Sequence, residues 1–313
     1  MALKESITKP LKMTVAKDGK GAYKTVQEAI DSIPADNKNK VEIFIKNGVY
    51  KERIAVPENK PFVTLIGESV DHTILTYDNH AKMMSLDGGI IGTRNSASVF
   101  LYAGDFTARN LTFENSFNPK RMEEETQAVA VYASGERMGF NQVRFLGNQD
   151  TLYLKEGSQY FSGCYIEGDI DFIFGGARAV FEECEIFSLN RGSSAENGYI
   201  SAASTHKNEP YGFLFLNNRF TSSAAEGTVY LGRPWHPGGD PDAIASVIFK
   251  NNYLCAHIHP DGWTDMSGFS AKDARFYEYK NEGPGSNTNR PQLTDEEAEA
   301  ASIEAVLKGW NPE

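Results

Sequence analysis

The sequence predicts an all-β fold: a parallel β-helix, or solenoid, with short capping helices at its N- and C-terminal ends. Two observations carry this expectation. A weak template (large apolar, two residues, core residue, one residue, apolar) recurs as Ala108-Leu111-Phe113, Phe140-Val143-Phe145, Phe161-Cys164-Ile166, Phe181-Cys184-Ile186, Phe215-Asn218-Phe220 and Phe249-Asn252-Leu254. Its first members lie 32, 21, 20, 34 and 34 residues apart. A period near 20 is one coil of a solenoid, whereas the strands of a sandwich recur every 8–12 residues. The second observation is that polar residues keep the same period. Gln127 to Gln149 is 22 residues, and Asp150 to Asp171 is 21. Coils stack at about one strand spacing, ~4.8 Å, so this register places two amides and two carboxylates on one wall, from three consecutive coils.

Taken in order, residues 12–15 and 41–45 read as strands by their alternation. Between them, Thr25 and Glu28 form a capping box, and Val26, Ala29, Ile30 and Ile33 share one helical face. An open solenoid end exposes unpaired backbone, and this helix is the expected N-terminal cover. The β-helix proper is expected over about residues 41–280. Two of the template intervals are bare coils; three carry about a dozen extra residues, read as rim loops. The polar inserts 115–126, 188–208 and 235–243 are the candidates for cleft walls. Asn218 and Asn252 fit a stacked polar ladder at a coil corner. Thr294 opens a helix expected to run to about Leu307, with Ile303, Val306 and Leu307 packing it back on the solenoid. No linker divides the chain, so residues 1–313 read as a single domain with a flexible segment at 1–11.

The 31 basic and 42 acidic residues give a net charge of −11, which argues against nucleic acid as a partner. No apolar run approaches the ~18 residues of a membrane span. Residues 1–6 lack an apolar h-region, so the protein is either intracellular or carries a signal peptide outside this sequence. Three cysteines make no disulfide framework. Cys164 and Cys184 are nevertheless one coil apart: they are either two buried thiols or a bridge in a secreted protein.

For chemistry, the chain has no G-x-S-x-G elbow, no P-loop and no G-x-G-x-x-G opening a helix. His257 and His259, near Cys255, share one side of a strand and offer a metal pair without a further ligand cluster. The carboxylate pair remains. Two acids one strand spacing apart do not both ionise freely, so one holds its proton; a neutral acid beside an ionised one suits acid/base hydrolysis. The two amides can receive a developing oxyanion. Leu231-Gly232-Arg233-Pro234-Trp235 adds a guanidinium that keeps a neighbouring carboxylate ionised and an indole on which a sugar ring can stack.

Five stretches in this order carry a resemblance: Gly48-Val49-Tyr50-Lys51-Glu52, Gln127-Ala128-Val129-Ala130-Val131, Gly147-Asn148-Gln149-Asp150-Thr151-Leu152, Asp171-Phe172-Ile173-Phe174-Gly175 and Leu231-Gly232-Arg233-Pro234-Trp235. Over roughly residues 12–310 the chain resembles the pectin methylesterases, carbohydrate esterase family eight. The resemblance implies a right-handed parallel β-helix and hydrolysis of galacturonate C6 methyl esters in pectin, releasing methanol without a cofactor or metal. It implies Asp171 as nucleophile, Asp150 as acid and then base, and Gln149 with Gln127 as oxyanion donors. Arg233 would fix Asp171 in its ionised form, and Tyr153, Phe174, Trp235 and Met266 would line the sugar cleft. The implied partner is methyl-esterified homogalacturonan, met by a monomer outside the cell, with no nucleic acid and no membrane. The alternative is an intracellular enzyme acting on imported oligogalacturonides.

Three rivals share parts of this pattern. A polygalacturonase would also use paired carboxylates, but the Gln-Asp pairing and the Arg-x-Trp do not suit it. A pectate lyase typically needs clustered acids for Ca²⁺ and a base, and no such cluster is evident. A noncatalytic carbohydrate-binding protein has no need of stacked aspartates. The charge of −11 predicts repulsion from fully de-esterified polygalacturonate unless a local basic patch overturns it.

Overall fold

In the computed structural model, which describes residues 9–119 and 126–312, the chain winds as the period predicts. Its strands are dealt in turn to three parallel sheets of ten, eight and seven strands among the described residues. One coil runs Ser158–Ser162, Tyr165–Gly168, Ile170–Gly175, and the next begins at Arg178–Glu182. The winding starts earlier than expected, because Leu11–Val15 already pairs with Val41–Ile45. Of the flexible segment expected at the N-terminus, residues 1–8 lie outside the described residues.

The apolar template is the core itself. Phe140, Phe161, Phe181, Phe215 and Phe249 are successive register partners. Their rings stack with centroids 4.6–4.7 Å apart, which is the strand spacing repeated inside the solenoid. The third members, Phe113, Phe145, Ile166, Ile186, Phe220 and Leu254, align in the eight-stranded sheet.

Between these two sheets the chain turns a corner through one left-handed residue per coil: Asn110, Gln142, Gly163, Glu183, Asn217 and Asn251, with φ of 52–58°. The next residue is the template's second member, and here the expected ladder forms. Asn218 Nδ2 donates to Phe181 O at 2.9 Å and Asn252 Nδ2 to Phe215 O at 3.0 Å; each Oδ1 accepts the backbone N–H one coil back. Asn281 adds a further rung, donating to Phe249 O at 3.1 Å. Cys164 and Cys184 occupy the same ladder in the preceding coils. Both are free and buried, with their thiols on Phe140 O at 3.4 Å and Phe161 O at 3.6 Å. The bridge considered for a secreted protein is therefore not formed; the thiols act as the ladder's weak donors, and burial pushes the Cys184 thiol well up.

The N-terminal helix, Val26–Asp31, has the capping box and buries Val26, Ala29 and Ile30, with Ile33 buried just beyond its end. It covers the end of the seven-stranded sheet, whose outermost strand is Ile54–Val56. Gln27 Oε1 accepts from Ala55 N at 2.7 Å and its Nε2 donates to Ala55 O at 3.2 Å. Glu52 receives Val26 N and Gln27 N, each at 2.9 Å, so the first family-like stretch anchors this helix rather than touching the cleft. Gln27→Ala is expected to cost about 1–3 kcal/mol, the loss of two part-buried hydrogen bonds, read as a lower urea midpoint with an unchanged m-value.

At the other end the expected single helix is two, Asp295–Ala300 and Ile303–Val306. Ala301 leaves helical geometry and Ser302 caps the second helix, its Oγ accepting from Ala305 N at 3.1 Å. Ala301, Val306 and Leu307 pack on Val180, Leu214 and Ile248, the outward side chains of the ten-stranded sheet. The pair thus covers a flank of the solenoid. The insert read at 188–208 also contains a sheet strand, Gly198–Ala203, leaving a shorter loop before it. Part of insert 115–126, residues 120–125, lies outside the described residues.

Candidate active site

The site grows from the seven-stranded sheet. Leu152 pairs with Ile173 and Tyr153 with Phe174, a step of 21 that stacks the coil of Asp150 on that of Asp171. The step from Gln127 to Gln149 is one longer than the Val131–Leu152 register, so Ala128 N donates to Gln149 O at 3.1 Å and the two glutamines are offset by one. Both still reach the same cleft. That cleft, about 390 Å³, is lined by all nine residues singled out from the sequence: Gln127, Gln149, Asp150, Tyr153, Asp171, Phe174, Arg233, Trp235 and Met266. A neighbouring depression of about 370 Å³ shares Gln149 and extends the groove past Asn148, Ile170 and Leu189.

Arg233 is placed by the strand Val229–Gly232, which ends just before it. A side chain at Gly232 would collide with Ser201, so glycine is what lets this strand lie close enough. The Arg233 guanidinium sits 3.8 Å over the Tyr199 ring and forks onto Asp171, Nε to Oδ1 at 2.8 Å and Nη2 to Oδ2 at 2.7 Å. Both aspartates hold left-handed backbone, φ 66° at Asp150 and 50° at Asp171, which bends the chain so that successive coils present their carboxyls to one cleft.

Electrostatics separates the two acids. Burial pushes the Asp150 carboxyl well above the usual carboxylate range, and the negative charge of Asp171 pushes it further. Burial raises Asp171 as well, but Arg233 opposes it and the rise is smaller. Burial works against the Arg233 cation, yet the Asp171 carboxylate outweighs it and holds the guanidinium above its ordinary value. Of the two, Asp150 is the one pushed further toward its protonated form, and Asp171 the one held toward its charged form by Arg233. Among the described residues, no side chain occupies the amides of Gln127 and Gln149, leaving their donors open to a ligand.

The aromatic members form a floor. Tyr153 stacks on Phe174 at 4.3 Å, and Trp235 stands edge-on to both at 6.0 and 5.5 Å. This floor continues through Tyr132 and Phe100, register partners on the preceding coils. The sequence reading missed these two, together with Thr93 and Arg94 on the cleft wall. Alternation in Val131-Tyr132-Ala133 and Val99-Phe100-Leu101 was the available signal. The metal alternative is not supported: no group of three or more potential ligands occurs among the described residues. His257 is a buried neutral imidazole, lowered by burial to about 4, while His259 stacks on Tyr230 at 4.2 Å. No helix among the described residues is long and apolar enough to cross a membrane.

A carboxylate forked by a guanidinium, a second buried carboxyl beside it and two glutamine side chains line one cleft of a parallel β-helix, and the chain is a carboxylic ester hydrolase by its family. The Pectinesterase family model matches residues 12–295, and the chain belongs to that family. It is 38% identical to Pectinesterase 31 of Arabidopsis thaliana over 91% of this chain and 88% of that protein. Against Pectinesterase A of Dickeya chrysanthemi the identity is 37%, covering 94% of this chain and 89% of its length. Among solved structures it is similar to a pectin methylesterase in complex with a hexasaccharide, with a TM-score of 0.91, 36% identity, and 98% and 99% of the two chains covered.

Proposed function

We propose that this protein hydrolyses the C6 methyl esters of galacturonate in pectin by an aspartate nucleophile and an aspartate acid/base. The observation that carries this reading is the Arg233–Asp171 fork beside the buried Asp150, whose carboxyl burial and the Asp171 charge push well above the usual carboxylate range. One Asp171 oxygen attacks the ester carbonyl carbon. The carbonyl oxygen becomes an oxyanion and gains hydrogen bonds from the Gln127 and Gln149 amides, which the ground state lacks. Collapse breaks the bond to the methoxy oxygen, which takes the Asp150 proton and departs as methanol. The galacturonyl group is left as an anhydride on Asp171. Asp150, now ionised, takes a proton from water as its oxygen adds to that carbonyl. The galacturonate carboxyl is released, Asp171 regains its charge, and Asp150 is protonated again.

Tyr153, Phe174, Trp235 and Met266 would offer the apolar surface against which sugar rings and the methyl group lie. The substrate is a cell-wall polymer, so the protein would act outside the cell, as a monomer; action on imported oligogalacturonides is the alternative. Methanol release from esterified pectin, assayed beside reducing ends and with chelator present, tests the reading. Methanol with falling pH, constant chain length and no effect of chelator is the expected result. New reducing ends or unsaturated products equal to the methanol formed would assign the protein to chain cleavage instead.

A further inference from the structure

Arg233 starts at the end of the strand Val229–Gly232, and its target, Asp171, lies on Ile170–Gly175, two strands away in the seven-stranded sheet. The strand between them, Gly198–Ala203, carries Tyr199, whose ring lies 3.8 Å beneath the guanidinium. Tyr199 is in turn the register partner of Tyr230, and the two rings stack at 5.7 Å and 16°. The bridge between Val229 and Ile258 sets His259 beside Tyr230. Its ring stacks on Tyr230 at 4.2 Å and 21°, with Nε2 3.3 Å from the Tyr230 hydroxyl. One cation and three rings thus form a single column that runs from the reaction centre toward the C-terminal end. Tyr199 itself does not line the cleft. The Arg233 side chain is 20% exposed, so solvent is the alternative to its fork on Asp171.

We infer that Tyr199, backed by Tyr230 and His259, is a positioning residue for the reaction: it holds the Arg233 guanidinium in the plane from which two N–H groups reach the Asp171 carboxylate. This rests on the pectin esterase reading above. A two-pronged contact needs the guanidinium and the carboxylate to share a plane. An arginine that is free to turn loses side-chain freedom each time it forms one. The ring beneath removes much of that freedom in advance and adds the attraction of a cation for an aromatic face. Tyr230 and His259 fill the far side, so the Tyr199 ring has no room to swing away. The charge of the nucleophile follows from this geometry. A buried Asp171 with a loosened fork has a weaker counter-charge and takes up a proton more readily. The column therefore acts on the nucleophile through Arg233, without touching substrate.

The test compares Tyr199→Leu with Tyr199→Phe. Leucine removes the ring; phenylalanine keeps it and gives up only the hydroxyl, which donates to the exposed Glu196 Oε2 at 3.2 Å. In Tyr199→Leu the acid limb of kcat/KM for methanol release should move up by about one pH unit, the scale of a cation–π contact on a part-buried guanidinium. Activity on that limb then falls about tenfold. KM should hold, because the ring does not line the cleft. The limb of Tyr199→Phe should coincide with that of the unaltered enzyme. Isotope-edited NMR titration of the Asp171 carboxyl, which needs no turnover, should rank the three proteins in the same way. Tyr230→Leu leaves Tyr199 in place but removes its support. It should move both readouts in the same direction by less, and it serves if Tyr199→Leu does not fold. An acid limb and a carboxyl titration unmoved by removal of either ring, or moved as far by Tyr199→Phe, overturn the inference. Absence of methanol release by the unaltered enzyme overturns the esterase reading, and the carboxyl titration then decides by itself whether the column holds the fork.

Discussion

Asp171→Asn is expected to reduce methanol release from esterified pectin to background, a loss on the order of 10⁴–10⁶-fold, the range seen when a covalent nucleophile is removed. The amide is close in size to the carboxylate but cannot attack the ester. Asparagine is the right replacement because φ is 50° at this position, and asparagine, like aspartate, visits left-handed backbone where alanine would add strain of about 1–2 kcal/mol. The Arg233 guanidinium loses its anionic partner but remains over the Tyr199 ring, itself part-exposed, so the variant should fold. A single-turnover methanol burst, measured with circular dichroism on the same sample, checks the result. Substantial turnover in folded Asp171→Asn would remove this residue from the chemistry.

Asp150→Asn should fall less far, by about 10²–10⁴-fold, the usual contribution of a positioned acid/base. Its pH profile is the more telling readout. Activity needs Asp171 ionised and Asp150 protonated, so the unaltered enzyme should lose activity as pH falls through the Asp171 transition and again as it rises through the higher Asp150 transition. In Asp150→Asn the alkaline limb should vanish. The acid limb should stay, because Asp150 is neutral where Asp171 titrates. Stability gives an independent sign. A carboxyl raised in the folded state favours folding most below its unfolded pKa of about 3.9, and that advantage is lost as pH rises toward its folded value. Asp150→Asn should therefore gain melting temperature relative to the unaltered protein between about pH 4 and 7. A variant whose melting temperature does not rise relative to the unaltered protein over that interval would contradict the burial-raised Asp150 carboxyl.

Much of this site was legible because it repeats. Asp150 and Asp171 keep the coil period, and the phenylalanine template fixes where coils begin, so the shared wall followed from spacing. Arg233 followed from its place beside Gly232 and Trp235. What the sequence hid has physical reasons. Arg94 sits on a four-residue helix in a stretch with no period, so nothing tied it to the cleft. The strand Gly198–Ala203 lacks the apolar template because it belongs to the seven-stranded sheet, and it passed for loop. The break at Ser302 lies inside an alanine-rich run whose apolar spacing alone reads as one helix. The left-handed backbone at the two aspartates leaves no trace in composition at all.

The Gln27 clamp has a consequence for assembly. A solenoid that advances by one strand spacing per coil offers, at an open end, the template on which one more strand adds, and fibrils with that repeat elongate in this way. Gln27 meets the donor and acceptor of Ala55 with its own acceptor and donor, as the peptide group of an incoming strand would. Unlike a strand, the side-chain amide presents no further backbone for the next monomer. At the Ile54–Val56 edge of the seven-stranded sheet the protein is in effect a polymer of its own coils with a chain terminator built in.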